Sequence, residues 1–139
     1  MKMLKNKMMW FWTIGIFSLV LGSLIYLVFR DNAIVTTKIS QFVDLEPLRN
    51  MFSWAECDFL KFYLVDFLWA LSLSCGLHII FKPNLKVSII CSAIVIALGT
   101  AFELLQLFNV INGTGDVWDV ISYILAALVV NVMNYKRGS

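Results

Sequence analysis

The sequence predicts an all-α membrane protein: a four-transmembrane-helix bundle with one short amphipathic surface helix, built as a single integral domain over residues 1–139. Three observations predict it. Hydrophobic residues make up 60% of the chain and charged residues only 14%, against about half and about a quarter in soluble domains. The mean hydropathy is +0.84. The few charges are not scattered but mark off four long apolar runs. This composition excludes a disordered chain, a coiled coil, a nucleic-acid-binding tail and an ordinary cytosolic enzyme.

A membrane-crossing helix needs roughly 20 mostly apolar residues. The first run, residues 8–29, carries no charge and follows Lys2, Lys5 and Lys7. It is longer than the roughly 7–15-residue apolar stretch of a secretory signal, and Gly22-Ser23-Leu24 is a poor cleavage site. It reads as an uncleaved anchor. The second span, 62–81, lies between Lys61 and Lys82 and contains only Asp66 and His78. The third, 87–108, follows Lys86 and contains only Glu103. The fourth, 117–135, ends before Lys136 and Arg137 and contains only Asp119.

The connection over residues 30–61 is the one long loop. Phe42, Leu45, Leu48 and Phe52 recur within it at roughly helical spacing, with Trp54 nearby and Asp44, Glu46 and Arg49 on the polar side. This predicts an amphipathic helix over 39–54 at the membrane surface. Pro47 must kink it or place its first turn. Residues 82–86 form a tight turn. Cys57, Cys75 and Cys91 follow no metal or redox spacing and read as small apolar fillers.

Basic residues in short loops set orientation. With the N-terminus inside, Lys2, Lys5, Lys7, Lys82, Lys86, Lys136 and Arg137 fall in short cytoplasmic segments. Arg30, Lys38, Arg49 and Lys61 are spread over the longer outer ones, and every Asp and Glu lies in an outer loop or near an outer span end. Both termini are therefore expected in the cytoplasm.

Ionisable residues inside spans are costly and by default indicate function. At 1.5 Å per residue, Asp66 lies roughly 7 Å into its span from outside, and Glu103 roughly 25 Å from the inner end of its own. In a core about 30 Å thick both are near the outer face, where Asp116 and Asp119 open the last span. Four carboxylates on three helices thus share one level. Asp66, Trp69 and Ala70, with Gly76 at the edge, form one stripe. Gly99, Thr100, Glu103 and Gln106 form a second, and Asp119, Ser122, Tyr123 and Ala126 a third. Small and polar residues let membrane helices meet, so these stripes should face one another. Asp66, Trp69, Glu103, Gln106, Asp116 and Asp119 are the candidate ligand-binding residues. Helix capping is the alternative reading for Asp116 and Asp119, and capping with interhelical bonding for Asp66. It does not account for Glu103, near the negative end of its helix. His78, Asn131 and Asn134, in the inner half, read as interhelical hydrogen-bonders. No catalytic residue, metal site or cofactor motif is recognised: there is no nucleophile elbow, P-loop or H-E-x-x-H, and no basic aromatic channel for nucleic acid.

Glu103-Leu-Leu-Gln106, a Gly-containing loop, and Asp119 opening a last helix together resemble the VanZ-like family of bacterial membrane proteins. Over roughly the last 80 residues Glu103, Gln106 and Asp119 match the family pattern. Tyr123 stands at the family's Asn position and Ala126 at its Gly position, and no Arg occurs between Gln106 and Asp119. The resemblance implies a multi-pass protein of the bacterial inner membrane and cell envelope, linked through the founding member to glycopeptide antibiotic susceptibility. Three functions are then open. A non-enzymatic binder would take a membrane lipid or lipid-linked ligand, with the acidic pocket receiving a cationic group, and this reading is favoured. An intramembrane enzyme would act on a lipid headgroup or isoprenoid phosphate through a carboxylate-bound cation. A structural or accessory subunit would use the carboxylates only to fix helix register.

Overall fold

The computed structural model describes residues 2–29, 34–52, 62–81, 84–111 and 113–136. These fold into six helices: α1 (Lys2–Phe29), α2 (Ile34–Ser40), α3 (Glu46–Phe52), α4 (Tyr63–Phe81), α5 (Leu85–Leu107) and α6 (Val117–Lys136). Four are long and apolar enough to cross a membrane: Met8–Phe29, Tyr63–Phe81, Leu85–Leu107 and Val117–Tyr135. They lie within two residues of the spans that the charge gaps predict. The α5 boundary moves most, because Asn84 caps that helix by accepting from the Val87 N–H at 3.1 Å, which draws Leu85 and Lys86 into the first turn.

The four long helices are not equivalent. α4, α5 and α6 contact one another, and α1 packs chiefly along α4. The α1–α4 seam depends on small residues. A side chain added at Gly15 would meet Cys75 Cβ at 3.1 Å, and one at Gly22 would meet the Trp69 ring at 3.0 Å. Ser18, between them, is buried. Small residues on one face let the backbones approach, and dispersion contacts then hold the pair without hydrophobic help from lipid. The core gathers Phe11, Ala70, Leu71, Cys75, Val95, Tyr123, Ala126 and Val130. Ile16, Phe17, Ile80, Ile89, Ile90, Leu128 and similar residues face outward, as lipid-facing surfaces should.

The surface segment departs from its expected form. One helix over 39–54 is replaced by two short ones, with a break over 41–45. Asp44 Oδ1 accepts from the Glu46 N–H at 3.0 Å and starts a new helix, and Pro47 sits in its first turn, where a missing N–H costs nothing. Leu45 is buried, whereas Phe42 stands 87% exposed. Trp54, Cys57, Lys61, Lys82, Asn112 and Arg137 lie outside the described residues.

Candidate functional site

α5 ends at a tight stop. Asn109 has φ 55°, and the N–H groups of Phe108, Asn109 and Val110 return to the carbonyls of Leu104, Gln106 and Leu105. This closes the orphan carbonyls of the helix end. The chain then folds back over that end. Gly113 has φ 152°, a conformation natural to glycine, and its Cα leaves no room for a side chain above Gln106. A side chain at Gly115 would meet the Glu103 carbonyl oxygen at 2.6 Å and the Leu107 N at 3.0 Å. The two glycines therefore let the loop lie directly on α5, which sets where α6 begins.

That closure brings Glu103 and Asp116 together. Glu103 is 5% exposed. Its Oε2 accepts the Asp116 backbone N–H at 3.1 Å, and its Oε1 accepts the Tyr123 hydroxyl at 2.8 Å. The Tyr123 ring reaches there by lying flat against Gly99, where an added Cβ would strike it. Asp116 uses both of its own oxygens. Oδ1 accepts the Trp118 N–H at 3.0 Å and caps α6, and Oδ2 accepts the Tyr63 hydroxyl of α4 at 3.0 Å. Asp119 is buried in the first turn of α6, and Asp66 is half-buried on α4. Both, like Glu103, lie within electrostatic reach of the Tyr123 hydroxyl.

Asp66, Glu103 and Asp119 thus gather around Tyr123 at one end of the bundle, and Asp116 joins them through its N–H on Glu103. Two other candidate residues point elsewhere. The Trp69 ring sits against Gly22 and 5.2 Å from the Tyr26 ring of α1, so it belongs to the α1–α4 seam. Gln106 lies under Gly113 and supports the loop. Gly76, expected at the edge of the α4 stripe, meets open space. Among the described residues no three His, Cys, Asp or Glu side chains are placed to hold a metal ion.

Sequence reasoning missed Tyr63. The signal was present: Tyr63 and Asp66 stand three apart at the start of α4, on one face. Beside Tyr63 a groove of about 530 Å³ runs between α4 and α6. Tyr63, Leu64 and Phe67 form one wall, and Trp118, Ile121, Ser122 and Leu125 the other. Only Tyr63 and Ser122 bring hydroxyls, and these are turned to Asp116 Oδ2 and to the Trp118 carbonyl. The groove is therefore apolar along its length, and its two walls are tied to one carboxylate, since Tyr63 and Trp118 both donate to Asp116. The chain matches no protein-family model, no curated protein and no solved structure.

Proposed function

We propose that this protein holds a lipid or lipid-linked ligand of the outer leaflet without turning it over. The ligand's hydrocarbon chain lies in the α4–α6 groove, and a cationic group of its headgroup lies beside Asp116. The observation that carries this reading is the join between groove and carboxylate. Tyr63 and Trp118 form opposite walls of the groove, and both donate to Asp116, so one acceptor holds the two walls of an apolar slot together. Its volume falls within the roughly 300–1,000 Å³ of small-molecule sites. An ammonium group beside a carboxylate gains a charge-assisted hydrogen bond that a neutral headgroup does not. Glu103 is then a positioning residue, since its two oxygens hold Tyr123 and the Asp116 backbone.

In this reading the chain is a divergent VanZ-like protein of the bacterial inner membrane. Its acidic end faces outward, and occupancy of the site modulates susceptibility to glycopeptide-type antibiotics. The test is photo-crosslinking in vesicles with a phospholipid carrying a diazirine on its acyl chain. Label should concentrate on the α4 and α6 segments that contain Phe67 and Leu125, and Leu125→Trp, which fills the groove, should remove it. Equal labelling of all lipid-facing helices, with α1 as the reference, would overturn the reading.

A further inference from the structure

A second polar set crosses the bundle at the end away from Glu103. His78 of α4 is 2% exposed. Its Nδ1 lies 2.8 Å from the Ser74 carbonyl oxygen, and its Nε2 lies 2.7 Å from Ser88 Oγ of α5. Ser88 Oγ also touches the Asn131 side-chain oxygen of α6, and Asn131 Nδ2 lies 2.7 Å from Ser92 Oγ, one turn along α5. Phe11 of α1 closes the remaining side, its ring centroid 5.5 Å from that of the imidazole. The imidazole on α4 thus meets α1 and α5 directly, and reaches Asn131 of α6 through the Ser88 hydroxyl.

Counting hydrogens restricts this chain to two arrangements. A carbonyl oxygen has none to give, so Nδ1 must carry a hydrogen. The opposite tautomer would set two lone pairs against each other at 2.8 Å. Only Nε2 is then free to vary. Ser88 has one hydrogen and two neighbours. If Nε2 is bare, Ser88 donates to it, and the Ser88 oxygen must receive from the Asn131 amide NH₂. The Asn131 oxygen then turns to the Ser92 hydroxyl. If Nε2 is protonated, it donates to Ser88, Ser88 donates to the Asn131 oxygen, and the NH₂ donates to Ser92. The structure has the second direction at Asn131. A mixed arrangement places two hydrogens or two lone pairs face to face in a buried site, where unmade bonds are costly.

We propose that His78 is a proton site that sets the direction of this chain. Uptake of one proton from solvent at Nε2 turns the Ser88 hydroxyl and flips the Asn131 amide, so a charge change on α4 is transmitted to α5 and α6. No covalent bond other than the new N–H forms or breaks. The neighbours offer no competing described carboxylate. On α4, Asp66 is twelve residues away, roughly 18 Å along the axis. On α6, Asp119 is as far from Asn131. On α5, Lys86 is exposed, and the lysines of α1 precede Phe11. The nearby thiols, Cys75 and Cys91, are buried in the core. The device joins the same three helices that carry Asp66, Glu103 and Asp119, and it rests on no part of the lipid reading.

The chain has a single histidine, so one ¹⁵N-labelled imidazole can be followed without ambiguity in the full-length protein in nanodiscs. Between pH 4 and 9, Nε2 should change from a lone-pair nitrogen to a protonated one while Nδ1 stays protonated. The Asn131 side-chain nitrogen, assigned by its loss in Asn131→Gln, should move with the same midpoint. In Ser88→Ala, His78 should still titrate and Asn131 should no longer follow. An imidazole that does not titrate, or an Asn131 signal that stays still while it does, would overturn the proposal. So would an Asn131 that follows His78 without the Ser88 hydroxyl. Should Ser88→Ala not fold, the wild-type titration decides alone.

Discussion

The Tyr123 hydroxyl donates to Glu103 Oε1 at 2.8 Å and so ties α6 to α5 across the bundle. A carboxylate buried in an apolar span would ordinarily call for a cationic partner. Here two neutral donors serve, a phenol from α6 and a backbone N–H from the loop. Gly99 belongs to the same solution, because only its missing side chain lets the Tyr123 ring cross α5.

Tyr123→Phe keeps the ring and removes the donor. An average interhelical hydrogen bond in a membrane contributes only about 0.6 kcal/mol. A buried oxygen left without its partner costs about 1–3 kcal/mol, and that larger effect should dominate. Equilibrium unfolding in mixed micelles should show a loss of about 1 kcal/mol or more. A variant as stable as the parent would mean that the bond holds nothing in place.

Glu103→Gln should be tolerated better than Glu103→Leu. Both carboxylate oxygens accept, so Gln can keep its oxygen on the Asp116 N–H and offer its NH₂ to the Tyr123 oxygen, whose hydrogen must then turn elsewhere. Leu strands both donors. We expect Gln to insert and fold with a modest loss, and Leu to lose about 2 kcal/mol more, near the cost of two buried unpaired groups. Equal stability of the two variants in the same assay would refute the pinning role of Glu103.

The spans were legible because charge is costly in lipid, and the charged residues therefore mark the helix ends. Rise per residue, counted from the span ends, also placed Asp66, Glu103 and Asp119 at one level, and periodicity gave the face of each. It could not say which neighbour stands opposite a given face. Trp69 shares a face with Asp66 by spacing, yet Gly22 of α1 draws it away. The same blindness hid the Ser88–Ser92 pair, four apart on one face of α5, since two serines acquire meaning only when Asn131 and His78 are seen across from them. In the surface segment a short-range signal was misjudged: Asp44 three residues before Pro47 starts a helix, which outweighs the longer apolar repeat.

Topology provides a third prediction. By the bias of basic residues, Lys82 and Tyr135 are expected inside and Asn50 outside. Reporter fusions after Lys82 and Tyr135 should behave as cytoplasmic, and a fusion at Asn50 as external. A cytoplasmic signal at Asn50 would invert the molecule and move the Glu103 end to the inner leaflet.

The α1–α4 seam provides the last. A Cβ added at Gly22 would lie 3.0–3.1 Å from the Trp69 ring and 3.2 Å from Leu68 Cβ, so even a methyl group must push the indole or separate the helices. Trp69 is also held by Tyr26, one turn further along α1. Gly22→Ala should therefore cost about 1–3 kcal/mol, the usual range for overpacking, and Gly22→Leu should detach that end of α1 from α4. Gly76 supplies the control, because a side chain there meets nothing within 4 Å. Gly76→Ala should be neutral or slightly stabilising, since Ala is the better helix former by about 1 kcal/mol. The measurement is a cysteine pair, one on α1 near Gly22 and one on α4 near Trp69, in a background lacking the native thiols. Disulfide formation should fall with Gly22→Leu and stay unchanged with Gly76→Ala. Undiminished cross-linking in Gly22→Leu would show that the seam does not depend on the close approach at Gly22.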